Sequence, residues 1–224
     1  MYVIFTSCSA TKDDSIPIPS SSRIVQPSYY LDNPTLVSKL QEMRKRIFDD
    51  PRALIGYRDT HASDLYMRTG KAYKDLFKNN YDRLKEGLLI GNNIEWFFLS
   101  GGYGIVHSLE KARKYQATFS QSIARQKNIP YTEKLWNGIL PSICDAILSK
   151  FSPEYVYVFG SRAYTQFIKN TRHWHSNDNI RMFESTGLGG SSWLSPLLNK
   201  LLDSIFDNDV HNFNTKYPKF VKQG

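Results

Sequence analysis

The chain has 224 residues, 41% apolar and 22% charged, with 29 Lys and Arg against 21 Asp and Glu and a formal net charge of +8. That length and balance fit a single globular domain that buries roughly 70% of its unfolded surface and needs no covalent staple. Two cysteines, Cys8 and Cys144, exclude a disulfide framework and a Cys-rich zinc site, so a reducing, cytoplasmic setting is expected. No apolar run reaches the ~18 residues of a membrane span, and no membrane partner is expected. Tyr2–Phe5 is too short for the apolar core of a signal peptide and is read as mature structure. The positive charge admits a polyanionic partner such as nucleic acid, and some of the 14 tyrosines and 13 phenylalanines would be free to stack on bases.

In chain order, Tyr2–Phe5 is a short β-prone run and predicts a buried first strand. Ile16–Ser22, rich in Pro and Ser, reads as an extended loop. Asn33-Pro34 marks a helix start, with Asn as N-cap and Pro in the first turn. Leu36, Leu40, Met43 and Ile47 then recur at helical spacing, with Arg44, Lys45 and Arg46 expected on or beside the outer surface. Asp50–Ser63 reads as a linker or insertion. His61–Lys85 is a second helical region, with Leu65, Ala72, Leu76 and Leu84 inward and Gly70 as an interruption. Glu95–Leu99 is a strand that runs directly into Ser100-Gly101-Gly102-Tyr103-Gly104. Glu133–Lys150 carries Leu135, Ile139, Ile143 and Ile147 on one face, and Pro141 should kink or split it. Tyr155–Phe159 is a strand ending at Gly160, followed by a helix over Arg162–Lys169. Ile180–Phe183 is a fourth strand, then come Gly187-Leu188-Gly189-Gly190 and a final helix over Ser191–Phe206. The segment after Asp207, residues 208–224, is expected to be a loose polar tail.

Strands alternating with helices imply one α/β domain over residues 1–224, a mainly parallel or mixed sheet with helices on both faces. Ligands in such sheets bind outside the carboxyl ends of the strands. Three strands end in small or special residues: Thr6-Ser7-Cys8, Ser100-Gly101-Gly102 and Phe159-Gly160-Ser161.

Each motif has a functional and a purely structural reading. Cys8 opens Cys8-Ser9-Ala10-Thr11-Lys12; a thiol there, with Lys12 and backbone amides beside it, would serve as a nucleophile, or would be a small buried packing group. Cys144 shares a helix face with Leu140 and Ile147 and is read as core. Gly101, Gly102 and Gly104 allow backbone to approach a ligand, or make a plain turn; the loop is neither a P-loop nor the dinucleotide fingerprint. Glu110, Arg113 and Tyr115 follow and are expected to line the same pocket, with His107 as an acid/base candidate. Gly160-Ser161-Arg162 places amides at a helix N-terminus suited to an anion, and Ser161 lacks the Gly-x-Ser-x-Gly elbow of a serine hydrolase. Gly187–Ser192 is a similar loop. Alternation would put both imidazoles of His173-Trp174-His175 on one side, but no third ligand accompanies them, and no metal site is assigned.

These residues resemble the YaaA-like superfamily. The matching pieces are Ser7-Cys8-Ser9-Ala10-Thr11-Lys12, the run Gly70–Leu76, Leu99–Ile105 extended through Glu110 to Tyr115, and Val156–Tyr164. The Cys-x-x-x-Lys element also resembles archaeosine synthase, which processes 7-cyano-7-deazaguanine in RNA. Two stretches depart from the pattern: Val106-His107-Ser108-Leu109 stands where a Pro-containing stretch is usual, and Asp50–Ser63 has no counterpart. The resemblance implies a DNA-associated protein, with possible partners encoded in a DNA-modification gene cluster. DpdC-type members of the superfamily hydrate the nitrile of 7-cyano-7-deazaguanine to an amide. Carried over residue by residue, Cys8 and Lys12 would be catalytic, with Glu110 or His107 orienting water and no cofactor required. Ser7, Ser9, Thr11, Ser100, Gly101, Gly102, Tyr103, Gly104, Tyr115, Gly160, Ser161 and Arg162 would bind the base. Arg23, Lys111, Arg113, Lys114 and Arg125, with Lys12 and Arg162, would face DNA. Two other functions compete: a non-catalytic DNA-binding stress protein, and a base-releasing N-glycosidase using Glu110.

Overall fold

Four apolar runs separated by helical segments need a sheet that buries both of its faces, and the computed structural model has one. It describes residues 1–91, 93–185 and 191–223, with the backbone alone at 191, 192, 222 and 223. The first half runs β1 (Tyr2–Ser7), α1 (Pro27–Tyr30), α2 (Pro34–Phe48), β2 (Thr60–His61), α3 (Ala62–Met67), α4 (Lys74–Asn79), α5 (Tyr81–Ile90), β3 (Ile94–Ser100), β4 (Gly104–His107) and β5 (Lys111–Ala112). The second half runs α6 (Gln121–Lys127), α7 (Glu133–Asn137), α8 (Leu140–Phe151), β6 (Tyr155–Ser161), α9 (Arg162–Lys169), α10 (Arg172–Ser176), β7 (Ile180–Ser185), α11 (Ser191–Phe206), α12 (Val210–Lys216) and β8 (Phe220–Gln223).

The sheet order is β4-β3-β1-β6-β7-β8. All pairings are parallel except β3 with β4, so the sheet is mixed with one antiparallel edge. The four strands expected from sequence share this sheet. β1 lies at its centre, with Val3, Ile4 and Phe5 fully buried. Side chains alternate across β3 as the pleat requires. Phe97 packs against Tyr30 and Phe151 on one face, while Phe98 packs against Tyr66 and Tyr73 on the other. Among the described residues no helix is long and apolar enough to cross a membrane.

Local chemistry sets the element ends. The Asn33 side chain accepts from the amides of Thr35 and Leu36 at 2.9 and 3.4 Å and starts α2. Pro141 sits in the first turn of α8, so the region expected over Glu133–Lys150 is two helices, α7 and α8. The helical region after His61 breaks at Gly70, as its sequence suggests.

The Asp50–Ser63 segment, expected as a linker or insertion, is structured: Asp50 caps a short 3-10 turn over Pro51–Ala53, and β2 pairs antiparallel with β5. Two expectations are corrected. The His-Trp-His run is a helix rather than a strand, so its imidazoles do not share a side. His173 Nδ1 lies 2.7 Å from Asp145, and His175 is exposed. The loose tail is absent. Val210 and Phe213 are buried, Asn214 Oδ1 accepts from Tyr157 at 2.9 Å, and β8 extends the sheet beside β7. Val210, Phe213 and Tyr217 recur at helical spacing, and that short stripe was enough to dock α12. The Gly187–Gly190 loop lies outside the described residues.

Phe213 packs edge-on to Tyr157 at 5.9 Å and tilted against Phe183 at 6.0 Å. Phe213→Ala is therefore expected to lower the unfolding free energy by about 3–5 kcal/mol. Urea denaturation measures it; an unchanged midpoint would mean that α12 contributes nothing to the core.

Candidate functional site

The β1–β3 ladder continues one residue past β1, because the Cys8 amide donates to the Leu99 carbonyl at 2.8 Å. That bond sets a half-buried thiol at the carboxyl end of the central strand. A cleft of about 440 Å³ opens over it, walled by 7–12, 71–73 and 116–118 together with Ile123, Lys127, Ile129 and Tyr164.

Phenols surround the sulfur. Tyr115 donates to Cys8 Sγ at 3.5 Å, and Tyr164 Oη lies 3.8 Å from the same atom. Ser100 Oγ lies 2.6 Å from Tyr115 Oη, and Tyr66 donates to Tyr115 at 3.2 Å. Tyr73 donates to the Ser7 carbonyl. Burial first, and then the charge a Cys8 thiolate would carry, push Tyr66, Tyr115 and Tyr164 well above the usual phenol range. They remain protonated donors at any ordinary pH.

Lys12 Nζ sits 4.3 Å from the centre of the Tyr115 ring. Burial pushes its ammonium pKa down, against the opposing pull of Cys8, and the charges of Lys127 and Lys114 push it further down. Lys71 and Lys127 join it on the cleft wall, and among the described residues no carboxylate lines the cleft. Among the described residues none of these three lysines makes an ion pair. A cleft lined by three lysines is electrostatically suited to anionic groups.

The glycine loop works one step back from the cleft. A Cβ on Gly101 would lie 2.6 Å from the backbone of Ala117 and Thr118, and one on Gly102 would lie 2.6 Å from the Tyr115 ring. Only glycine lets 115–118 pass this close, and that passage aims Tyr115 at the thiol. The two glycines thus let one chain segment pass closely over the other. Ser100 and Tyr103 are buried beneath the loop, with Ser100 Oγ also accepting from the Tyr103 amide at 3.0 Å.

Of the expected site residues, the structure gathers Ser7, Cys8, Ser9, Thr11 and Lys12 at the cleft, with Tyr115 under its floor. Glu110 and His107 are not brought there. Glu110 is buried and pairs with Arg44 at 2.5 Å while accepting from Tyr30 at 3.0 Å. His107 Nε2 faces Glu95 at 2.7 Å, and its Nδ1 accepts from the Leu109 amide at 3.1 Å, which leaves the ring proton on Nε2. Arg44 itself corrects the expected outward helix face, since its guanidinium is buried. Gly104 begins β4, Gly160 packs near Ser7 in β6, and Ser161 and exposed Arg162 begin α9 outside the cleft lining.

Of the expected basic face, Lys12 lines the cleft. Arg23 donates to the Leu88 carbonyl at 3.0 Å, and Arg113 pairs with Asp59 at 2.7 Å. Lys111 and Arg125 are exposed without reaching the cleft, and of this set only Lys114 stands close enough to act on Lys12. Sequence reasoning missed Lys71, Lys127, Tyr66, Tyr73 and Tyr164 as site residues. Lys71 and Tyr73 fall in the Gly70–Leu76 stretch and Tyr164 in the first turn after β6, so strand-end and helix-start positions were the available signal.

The depressed Lys12 pKa has a sign that can be tested. Its folded value lies below the unfolded one, so the fold disfavours the charged form, and the penalty is fully present below the folded pKa. Lys12→Met should therefore raise the urea midpoint at pH 7. The gain should shrink as pH rises through the folded pKa toward the unfolded value, where wild-type Lys12 is neutral in the fold as well. Equal midpoints for both proteins at pH 7 would show that Lys12 is well solvated.

No family model matches the chain and no curated protein matches it, so the chemistry of the cleft is argued from its own residues.

Proposed function

We propose that this chain is a YaaA-like nucleobase-modifying enzyme that hydrates the nitrile of 7-cyano-7-deazaguanine, carried on a nucleotide or in DNA, through Cys8. One observation carries the reading: a thiol with a phenol donating to it and a desolvated lysine beside it, on the floor of a cleft that holds cations and no carboxylate. A nitrile carbon is electrophilic and uncharged. It needs a soft nucleophile and a proton donor, while the phosphate of its nucleotide needs cations.

The steps balance with water alone. The Cys8 sulfur adds to the nitrile carbon, a C–S bond forms, one π bond of the C≡N group breaks, and the nitrogen takes a proton from Lys12. The product is a thioimidate. Water adds to the same carbon as the remaining C=N π bond breaks, and one of its protons passes through Lys12 to the nitrogen, leaving a tetrahedral centre that bears sulfur, a hydroxyl and an amino group. Collapse breaks the C–S bond and returns the electron pair to sulfur while the hydroxyl proton goes to Lys12, which leaves the carboxamide and restores the starting thiolate and ammonium. Lys12 suits the shuttle because its lowered pKa brings both protonation states nearer to neutral pH. Tyr115 stabilises the departing sulfur, and Tyr164 is near enough to orient water.

The uncompensated lysines also favour a second reading, a DNA-binding protein in which Cys8 only packs. The glycosidase reading loses its carboxylate, because Glu110 is committed to Arg44.

The test incubates the protein with the nitrile-bearing nucleotide and with DNA that contains it, and follows adduct and amide by mass spectrometry. Wild type should form both. Cys8→Ala should lower amide formation by several orders of magnitude, as loss of a covalent nucleophile does. Iodoacetamide should label Cys8 well before Cys144, which is fully buried and whose thiol pKa burial pushes up. DNA binding with no amide from wild type, or full amide formation by Cys8→Ala, would overturn the thioimidate route.

A further inference from the structure

The 53–58 strap leaves apolar surface in water next to the cleft. Tyr57 is 96% exposed and Leu54 65% exposed. The strap is nevertheless held in place. The Gly56 amide donates to the Lys114 carbonyl, and the Gln116 amide donates to the Ala53 carbonyl, each at 2.6 Å. Between these two bonds Leu54 adopts a left-handed backbone with φ of 44°, an unfavourable state for a branched side chain that persists only where its surroundings enforce it. Gln116 belongs to the cleft wall, so the same ladder that shapes the wall fixes the position of Tyr57.

The charges beside the ring have one sign. Arg58 and Lys114 are exposed and, among the described residues, form no ion pair. The carboxylates of Asp50, Asp59 and Asp13 are already paired with Arg52, Arg113 and Arg68. Asp14 is the exception, a single carboxylate whose Oδ2 would lie 3.4 Å from a Cβ on Gly56, on the side where Lys114 also approaches. An exposed aromatic ring among unpaired cations, continuous with a cationic cleft, matches the stacking platform of a single-strand binder. A protein partner of neutral or mixed surface would leave those cations without counterions.

We propose that the strap receives the single-stranded nucleic acid that flanks the nucleotide in the Cys8 cleft, with a neighbouring base stacked on Tyr57 and its phosphates on Arg58 and Lys114. The proposal rests on the reading that the cleft takes a nucleotide, and it makes the substrate a strand rather than a free nucleotide.

The test compares a fluorescein-labelled single-stranded oligodeoxynucleotide with deoxyguanosine monophosphate as ligands of the full chain, read by anisotropy and by protection of Cys8 from iodoacetamide. Tyr57 is solvent-exposed, so its replacement does not threaten the fold. Tyr57→Ala should weaken oligonucleotide binding roughly 5- to 150-fold, the range for loss of one stacked base, while protection by the mononucleotide stays unchanged. Tyr57→Trp should restore oligonucleotide binding. Mononucleotide protection with wild-type oligonucleotide affinity in Tyr57→Ala would overturn the platform and leave the cleft reading standing. Protection by neither ligand in wild type would overturn both.

Discussion

A buried guanidinium holds the segment on which the cleft depends. Arg44 reaches from α2 into the chain that leaves β3, with Nε donating to the Tyr103 carbonyl at 3.0 Å, Nη2 to the Ile105 carbonyl and Nη1 to Glu110 at 2.5 Å. One side chain thereby fixes the start, the middle and the end of the β4 excursion. Burial pushes the Tyr103 phenol up to about 12, and Tyr103 accepts from the Arg113 amide, so the outgoing chain is anchored as it turns back toward β1. The close passage of 115–118 over Gly101 and Gly102 follows, and with it the aim of Tyr115 at the thiol. Removing Arg44 would strand Glu110 without a counter-charge, a loss of about 3–5 kcal/mol for a buried pair broken on one side.

The cleft itself runs against stability. Lys12, Lys71 and Lys127 face a shared space without a carboxylate, and Lys12 is desolvated there. Elsewhere the chain pairs its charges readily, as Lys85 does with Asp64 at 2.7 Å and Lys169 with Glu184 at 2.7 Å. Local conflict of this kind concentrates where a ligand is meant to resolve it. The same contrast separates the two cysteines, since Cys144 is fully buried in the core, while the hydroxyls of Tyr115 and Tyr164 meet the sulfur of Cys8.

How legible these features were depended on whether they were local. The four main strands could be read because each is a short, mostly apolar run of β-prone residues, interrupted only by Arg181 in the last, and Cys8 stood out because it follows the first of them. β4 and β8 escaped, being four residues each and only partly apolar, so pairing with a neighbour rather than intrinsic preference makes them strands. Arg44 was read as surface because it stands in a run of three basic residues. Its spacing held the contrary signal, four residues after Leu40 and three before Ile47, on the apolar stripe of α2. Glu110 and His107 were placed near the cleft because they follow the glycine loop in sequence, whereas the turn back through β4 carries them beneath the sheet edge to Arg44 and Glu95. Lys71 and Lys127 lie 56 positions apart in sequence, and only the tertiary fold brings them to one cavity.

The position of β1 has a consequence for how the surroundings of the Cys8 thiol are assembled. β1 pairs with residues 94–99 on one side and 155–159 on the other, and the hydroxyls that meet Cys8 come from Tyr115 and Tyr164, 107 and 156 positions away. Contacts of such long range are closed late and slowly, because the loops between them lose entropy before any contact repays it. During folding the thiol therefore stands bare, an ordinary cysteine open to any electrophile. It acquires its phenol and lysine neighbours only when the centre of the sheet closes around it, so the surroundings of the thiol are a product of the completed fold.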